Sequence, residues 1–311
     1  MGKKISAMFN NVKNFLTADP LISVVLCTYN DEETIALTIS SVLEQSFTDF
    51  EFIIWNDGST DSTEEIVKSY DDPRIRYYYH ENSGPGLAAK LACEKVRGKY
   101  IARIDGDDIA LPQRLQKEAL YMENHPECVL VSSAVKYIGE GENEIGRSFP
   151  YTWNAVLKKI LNYNSPFVHP SCMFRTRAYA ESKGYPSTRC FVDSIMFKRL
   201  KEKGKVHNIS EPLLKYRLSS SSTSHSLGKY VPVLRELEKL IVDEKAGSDE
   251  LEVLFNNVYM IAKKNSIQQR VFYRDGYLNH CYRLLSYIMP SSIAERIIIF
   301  VHNIYGLLRY L

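Results

Sequence analysis

Three carboxylates fall within four residues at Asp105-Gly106-Asp107-Asp108. Like charges that close raise one another's pKa unless a cation sits among them. Oxygen ligands on so short a stretch suit Mg²⁺ or Mn²⁺, which keep positions open for phosphate and water. Gly106 lets the chain turn tightly there. The same residues also read as an acidic turn before the helix near Pro112. A second group is Asn56-Asp57-Gly58-Ser59-Thr60-Asp61. It is a turn and helix cap, and its Asp57 carboxylate can also accept a hydrogen bond from an N–H of a nucleotide base. A third group is Thr28-Tyr29-Asn30. Tyr29 suits either stacking on a base or closing the edge of a core.

The elements around these residues alternate between strand-like and helix-like stretches. Leu21 to Cys27 and Phe50 to Trp55 are continuous apolar runs, as expected of strands buried on both faces. Ile75 to Tyr79 and Tyr100 to Ile104 continue the series, the last ending at Asp105. Helical periodicity covers Asp31 to Gln45, Thr60 to Tyr70 and Leu87 to Val96. This βαβαβαβ rhythm predicts an α/β fold with a mostly parallel sheet flanked by helices. All three polar groups then lie beyond the carboxyl ends of strands, where such sheets bind ligands. From about 140 to 220 the pattern loosens. Ser219 to Ser226 reads as a serine-rich loop, and helical signals dominate after it.

In this order the three groups resemble family 2 glycosyltransferases of the GT-A fold. The matching text runs from Ser23-Val24-Val25 to Thr28-Tyr29-Asn30, then through Asp57-Gly58-Ser59-Thr60-Asp61. Gly98-Lys99-Tyr100-Ile101 leads into Asp105-Gly106-Asp107-Asp108, followed by Pro112 and Arg114-Leu115. His169-Pro170-Ser171 with Met173-Phe174-Arg175 is similar to the acceptor-side text of bacterial surface-polysaccharide members. The resemblance covers about 21 to 220. It implies a Rossmann-like nucleotide-sugar half (21–110) and an acceptor half (111–220), between an N-terminal helix (1–20) and a helical C-terminal appendage (227–311).

The resemblance also implies site roles. Thr28, Tyr29, Asn30 and Asp57 would hold the base of the donor nucleotide, uracil in most members. Asp105 would support the acidic loop, Asp107 would contact ribose or metal, and Asp108 the metal on the diphosphate. Asp193, within Phe191-Val192-Asp193, looks like the family's catalytic base, although Val192 replaces the usual acidic neighbour. Lys90-Leu91 stands where many members carry Arg-Asn, so Lys90 is the donor-site candidate there. His169 and Arg217 are acceptor or diphosphate candidates. Tyr216-Arg217-Leu218-Ser219 lacks the histidine of a Tyr-Arg-x-His segment, and His225 reads either as its substitute from the serine-rich loop or as a mobile surface histidine. The implied activity is inverting transfer of a hexosyl or N-acetylhexosaminyl group from a nucleotide-sugar, a UDP-sugar in most members. The acceptor would be a saccharide or lipid-linked saccharide in surface polysaccharide synthesis, and the cofactor Mn²⁺ or Mg²⁺.

Bulk properties agree with a globular enzyme. Among 311 residues, 39 Lys and Arg face 37 Asp and Glu, which does not suggest a nucleic-acid partner. Six irregularly spaced cysteines with no CxxC pair suggest buried reduced thiols rather than a disulfide frame or zinc site. No uncharged apolar stretch is long enough to span a bilayer, and the start of the chain has no leader-like apolar core. A cytoplasmic protein is expected. Residues 3–16 and 293–311 have amphipathic patterns that suit either peripheral contact with the inner face of the membrane or packing on the catalytic domain. Gly84-Pro85-Gly86-Leu87-Ala88-Ala89 fits a dinucleotide fingerprint on spacing, but it follows the third strand, and a true fingerprint opens the first βα unit. A sugar nucleotidyltransferase would need a Gly-rich basic loop after the first strand, which is missing here. A non-catalytic sugar-nucleotide-binding assembly subunit is the other alternative. Oligomeric state stays open.

Overall fold

A computed structural model describes residues 19–139, 141–162 and 164–218. Expectations for the segments 1–18 and 219–311 lie outside the described residues. These include the membrane-contact stretches 3–16 and 293–311, the serine-rich loop, His225 and the C-terminal helical region.

The apolar runs form the expected strands. β1 (Ile22–Thr28), β2 (Phe50–Asn56), β3 (Ile75–Tyr79) and β4 (Tyr100–Asp105) pair in parallel in the order β3-β2-β1-β4. Between them run α1 (Ile35–Leu43), α2 (Thr63–Lys68) and α3 (Pro85–Cys93). α1 and α2 start three or four residues later than their periodicity suggests, because the residues that precede them are drawn into the polar loops, whereas α3 starts two residues earlier, at Pro85.

Beyond β4 the chain adds β5 (Ile109–Ala110), α4 (Arg114–Asn124), β6 (Cys128–Ile138), β7 (Glu144–Arg147), α5 (Asn154–Ile160), β8 (Met173–Arg175), α6 (Thr176–Glu181), α7 (Val192–Leu200) and β9 (Lys205–Arg217). All nine strands join one sheet, ordered β3-β2-β1-β4-β8-β6-β9-β5, with β7 on β6. The sheet is mostly parallel only in its first four strands. β8 lies antiparallel to both β4 and β6, β5 antiparallel to β9 and β7 antiparallel to β6, whereas β6 and β9 are parallel. Antiparallel neighbours need no crossover helix, so short strands can be inserted there.

Alternate residues of the central strands feed two cores. Ile22, Val24 and Leu26 with Phe52 and Ile54 face α1 and α4, against Ile35, Ile39, Leu115 and Met122. Val25, Ile53 and Ile101 face α3, α5 and α7, against Ala88, Ala92, Leu157, Met196 and Phe197. Each fully buried large apolar side chain contributes about 1.5–3 kcal/mol. Burial on both faces is why β1 and β2 read as unbroken apolar runs.

The face carrying α3 is tightly filled. A Cβ on Gly86 would lie 2.2 Å from the Thr188 carbonyl oxygen and 2.4 Å from that of Pro186. Both are backbone atoms, so neither can swing aside. Gly86→Ala is therefore expected to destabilise the fold by about 1–3 kcal/mol, read as a lower denaturant midpoint. Unchanged stability would mean that the 186–188 segment does not rest on α3.

Cys93, Cys128 and Cys172 are buried thiols outside any disulfide, Cys190 is a buried cysteine, and Cys27 is partly exposed. No helix among the described residues is long and apolar enough to cross a membrane.

Candidate active site

The parallel register sets the site. Thr28 is level with Asn56, and Cys27 is level with both Trp55 and Asp105. The loops after β1, β2 and β4 consequently leave the sheet side by side at its carboxyl edge.

Hydrogen bonds fix the first two loops to each other. Asn30, in the left-handed region with φ 58°, accepts the Thr60 amide at 2.8 Å through Oδ1, while its own amide donates to Ser59 Oγ at 3.0 Å. Asparagine tolerates that backbone region better than most residues. The Thr28 hydroxyl donates to Asp31 Oδ2 at 2.7 Å. Tyr29 is left 49% exposed, with a ring face available for stacking. Asp57, by contrast, is almost fully buried. Its Oδ1 accepts the Ser83 amide at 3.0 Å and the Ser83 hydroxyl at 2.8 Å, and its Oδ2 accepts the Gly84 amide at 2.9 Å. A carboxylate has about four acceptor positions, so one remains for a ligand.

The acidic loop is anchored from α1 and from β9. Thr34, just before α1, and Thr38 within it each donate a hydroxyl to the Gly106 carbonyl at 2.9 Å, and Thr38 also approaches the Asp108 carbonyl at 2.8 Å. Arg217 donates its amide to Asp108 Oδ1 at 2.9 Å and Nε to the Asp107 carbonyl at 3.0 Å, with a further bond to the Gly139 carbonyl. Arg217, expected at an acceptor or diphosphate, thus braces the acidic loop through its backbone.

The three acids differ in exposure. Asp105 is partly exposed and ion-paired at 2.8 Å with buried Arg103. Asp107 is partly exposed, and burial together with the charges of Asp105 and Asp31 pushes its pKa up to about 7. Asp108 is expected to face a metal beside Asp107, but its side chain is fully buried. The α1 hydroxyls and the Arg217 amide turn it inward. Its Oδ2 has no hydrogen-bond partner, and burial and then Asp107 and Asp105 raise its pKa well above the usual range.

Asp193 lies in the first turn of α7, after Phe191 with φ 54°. Val192 beside it is buried in the α3-side core, which accounts for an apolar residue where an acid is usual. His169 stands in a short 3-10 turn, its Nε2 2.7 Å from the Tyr185 hydroxyl. Burial and then the Arg103 charge lower its pKa, while the Asp105 and Asp193 carboxylates act in the opposite direction. One ring therefore feels the acid at the end of β4 and the acid on α7. Lys90 sits on the exposed face of α3.

The sequence profile named Glycosyl transferase family 2 matches residues 23–182 of the 311. The chain belongs to the family 2 glycosyltransferases. Curated relatives agree. The O-antigen biosynthesis glycosyltransferase WbnJ of Escherichia coli is 31% identical over 216 residues, covering 68% of this chain and 84% of WbnJ. An uncharacterized glycosyltransferase of Haemophilus influenzae is 30% identical over 283 residues, covering 82% and 85%. In fold, this glycosyltransferase is similar to S. aureus TarS solved with UDP-GlcNAc, with a TM-score of 0.61 and 19% identity over 78% of this chain and 74% of that one. It also resembles the mannosyltransferase PcManGT of Pyrobaculum calidifontis solved with GDP-Man and Mn²⁺, with a TM-score of 0.50 and 16% identity over 93% and 88%. The GT-A-like architecture of the described residues matches these neighbours.

Sequence reasoning misses several site-edge residues in this glycosyltransferase. Asp31 crowds Gly106, where a Cβ would lie 2.2 Å from Asp31 Oδ2. Its pKa is raised by burial, with Asp105 and Asp61 adding to the rise. Arg103 lies two residues before Asp105, so strand periodicity alone puts both on one face. Ser83 and Arg189 carry no comparable signal.

The acidic loop fits a divalent ion in its chemistry. Neighbouring carboxylates that repel one another, as Asp105 and Asp31 do with Asp107, are relieved by a cation. Among the described residues no three His, Cys, Asp or Glu side chains are grouped to enclose a metal. An ion there would be held by one or two carboxylates, with phosphate and water as its other ligands.

Proposed function

We propose that this glycosyltransferase moves a hexosyl or N-acetylhexosaminyl group from a UDP-sugar to a hydroxyl of a saccharide or lipid-linked saccharide, with inversion, in surface polysaccharide synthesis. The observation that carries this reading is the parallel register of β1, β2 and β4, which sets the Thr28, Asp57 and Asp105 loops side by side at the carboxyl edge of the sheet. The charges of Asp105 and Asp193 both acting on His169 support a base candidate near the same edge. The named role of WbnJ and the ligand of TarS support the pathway class and the donor class. The donor half would be 21–110 and the acceptor half 111–220.

Tyr29 stacks on the base, and Asp57 accepts an N–H from it with its remaining lone pair. Thr28 and Asn30 hold that loop in shape. Asp105, steadied by Arg103, faces the sugar-nucleotide. Asp107, the partly exposed acid next to buried Asp108, would hold Mn²⁺ or Mg²⁺. The ion, when bound, supplies positive charge against the diphosphate leaving group. Asp193 takes the proton from the acceptor hydroxyl as its oxygen attacks the anomeric carbon, and the bond from that carbon to the diphosphate oxygen breaks. A single displacement without a protein nucleophile inverts the anomeric configuration.

The purified chain is expected to release UDP slowly from at least one UDP-sugar with Mn²⁺, and to stop when chelator is added. UDP release that chelator leaves unchanged would contradict the metal assignment. Release from no UDP-sugar would contradict the donor assignment.

Asp107 also sets a pH dependence. Its folded pKa of about 7 exceeds an ordinary carboxylate's, so the folded chain keeps a proton that the unfolded chain loses. Its contribution to stability is therefore present at low pH and falls as pH rises from about 4 to about 7. Asp107 would have to give up that proton to hold an ion. The thermal stabilisation by Mn²⁺ is expected to be larger at about pH 7.5 than at about pH 5.5. The reverse order in a melting experiment would contradict it.

A further inference from the structure

The Asp57 loop has a second neighbour, which comes from the far half of the chain. Gly84, whose amide is bonded to Asp57 Oδ2, has φ 88°. A Cβ on Gly84 would lie 3.2 Å from Cγ and from a terminal guanidinium nitrogen of Arg189, and 3.3 Å from its Cζ. The Arg189 side chain is laid across this glycine. Its backbone is held there by neighbours in sequence, since the Pro186 and Thr188 carbonyls press on Gly86, two residues further along the chain. Asp57 and the guanidinium of Arg189 therefore flank the same residue. Lys90, the cation expected at this site, lies instead on the exposed face of α3.

We infer that Arg189 reads the donor base together with Asp57. The chemistry of the pair selects the base. A uracil ring offers one N–H between two carbonyl oxygens. Asp57 supplies an acceptor for the N–H, and the planar fork of Arg189 supplies donors for a neighbouring carbonyl. The corresponding edge of cytosine presents a ring-nitrogen acceptor and an amino donor. That places acceptor against acceptor at Asp57 and donor against donor at Arg189, and the pair rejects it. Because Arg189 lies four residues before Asp193, base recognition and the catalytic base are supplied by one segment.

This inference rests on the UDP-sugar reading, and the test separates the two. Wild-type chain, Arg189→Ala and Arg189→Gln are titrated calorimetrically with UDP, UMP and CDP in Mn²⁺, with melting curves recorded for each. The wild type is expected to prefer UDP to CDP. Arg189→Ala is expected to weaken UDP and UMP by a similar factor of about 10–100, as for loss of a charged hydrogen bond, and to narrow the preference for UDP over CDP. Arg189→Gln, which keeps a neutral donor, is expected to fall between the two. UDP affinity in both variants within about twofold of wild type would overturn the inference but leave the UDP-sugar reading standing, since truncating a true hydrogen-bond partner costs more than that. A loss seen with UDP but not with UMP would place Arg189 on the diphosphate and overturn base reading. A loss equal for UDP and CDP, with the preference unchanged, would reduce Arg189 to a structural part. A wild-type chain that binds no uridine nucleotide would overturn the inference and the UDP-sugar reading together.

Discussion

Asp193→Asn is expected to lower turnover by about 10²–10⁴-fold while leaving UDP affinity within about twofold of wild type. The amide has nearly the shape of the carboxylate but cannot take a proton. Asp193 is partly exposed in the first turn of α7, where an amide of the same shape fits without repacking, so the fold should survive. Transfer to acceptor and UDP affinity are measured in the same preparation. Wild-type turnover in the variant would remove Asp193 from the chemistry. Loss of UDP affinity along with turnover would show that α7 shapes the donor site rather than supplying the base.

Asp107→Asn is expected to abolish activation by Mn²⁺ and lower turnover about a hundredfold or more. Asp108→Asn serves as the contrast. Asp108 is fully buried, and Oδ1 takes the Arg217 amide. An asparagine oxygen can accept that same bond, and its NH₂ carries no charge to repel. Asp108→Asn is therefore expected to retain Mn²⁺ activation, measured as UDP release over a range of Mn²⁺ concentrations. If Asp108→Asn loses activation and Asp107→Asn keeps it, the ion belongs on Asp108, and the acidic loop opens on binding.

Much of the donor half was legible because its signals are local. Apolar runs buried on both faces announced β1, β2 and β4, and caps and turn residues marked where each strand yields to a polar loop. Parallel neighbours then brought those loops together, as the βα rhythm implies. What escaped depends on distant partners. Nothing in Met173–Arg175 says that three residues will be inserted between β4 and β6 and make the sheet mixed. The inward turn of Asp108 is decided by Thr38, 70 residues earlier, and by Arg217, 109 residues later. Asp57 spends most of its acceptor capacity on Ser83 and Gly84, which identity and spacing alone do not reveal. Arg189 has no motif, and it meets Gly84 from 105 residues away.

The most direct test of a metal-assisted uridine-nucleotide site is calorimetric titration of the full chain with UDP, first with Mn²⁺ and then with excess chelator. Saturable binding with Mn²⁺ that weakens at least about tenfold in chelator is the expected result, since an ion held by Asp107 would offset the diphosphate charge. Equal binding in both conditions, or none in either, would contradict it.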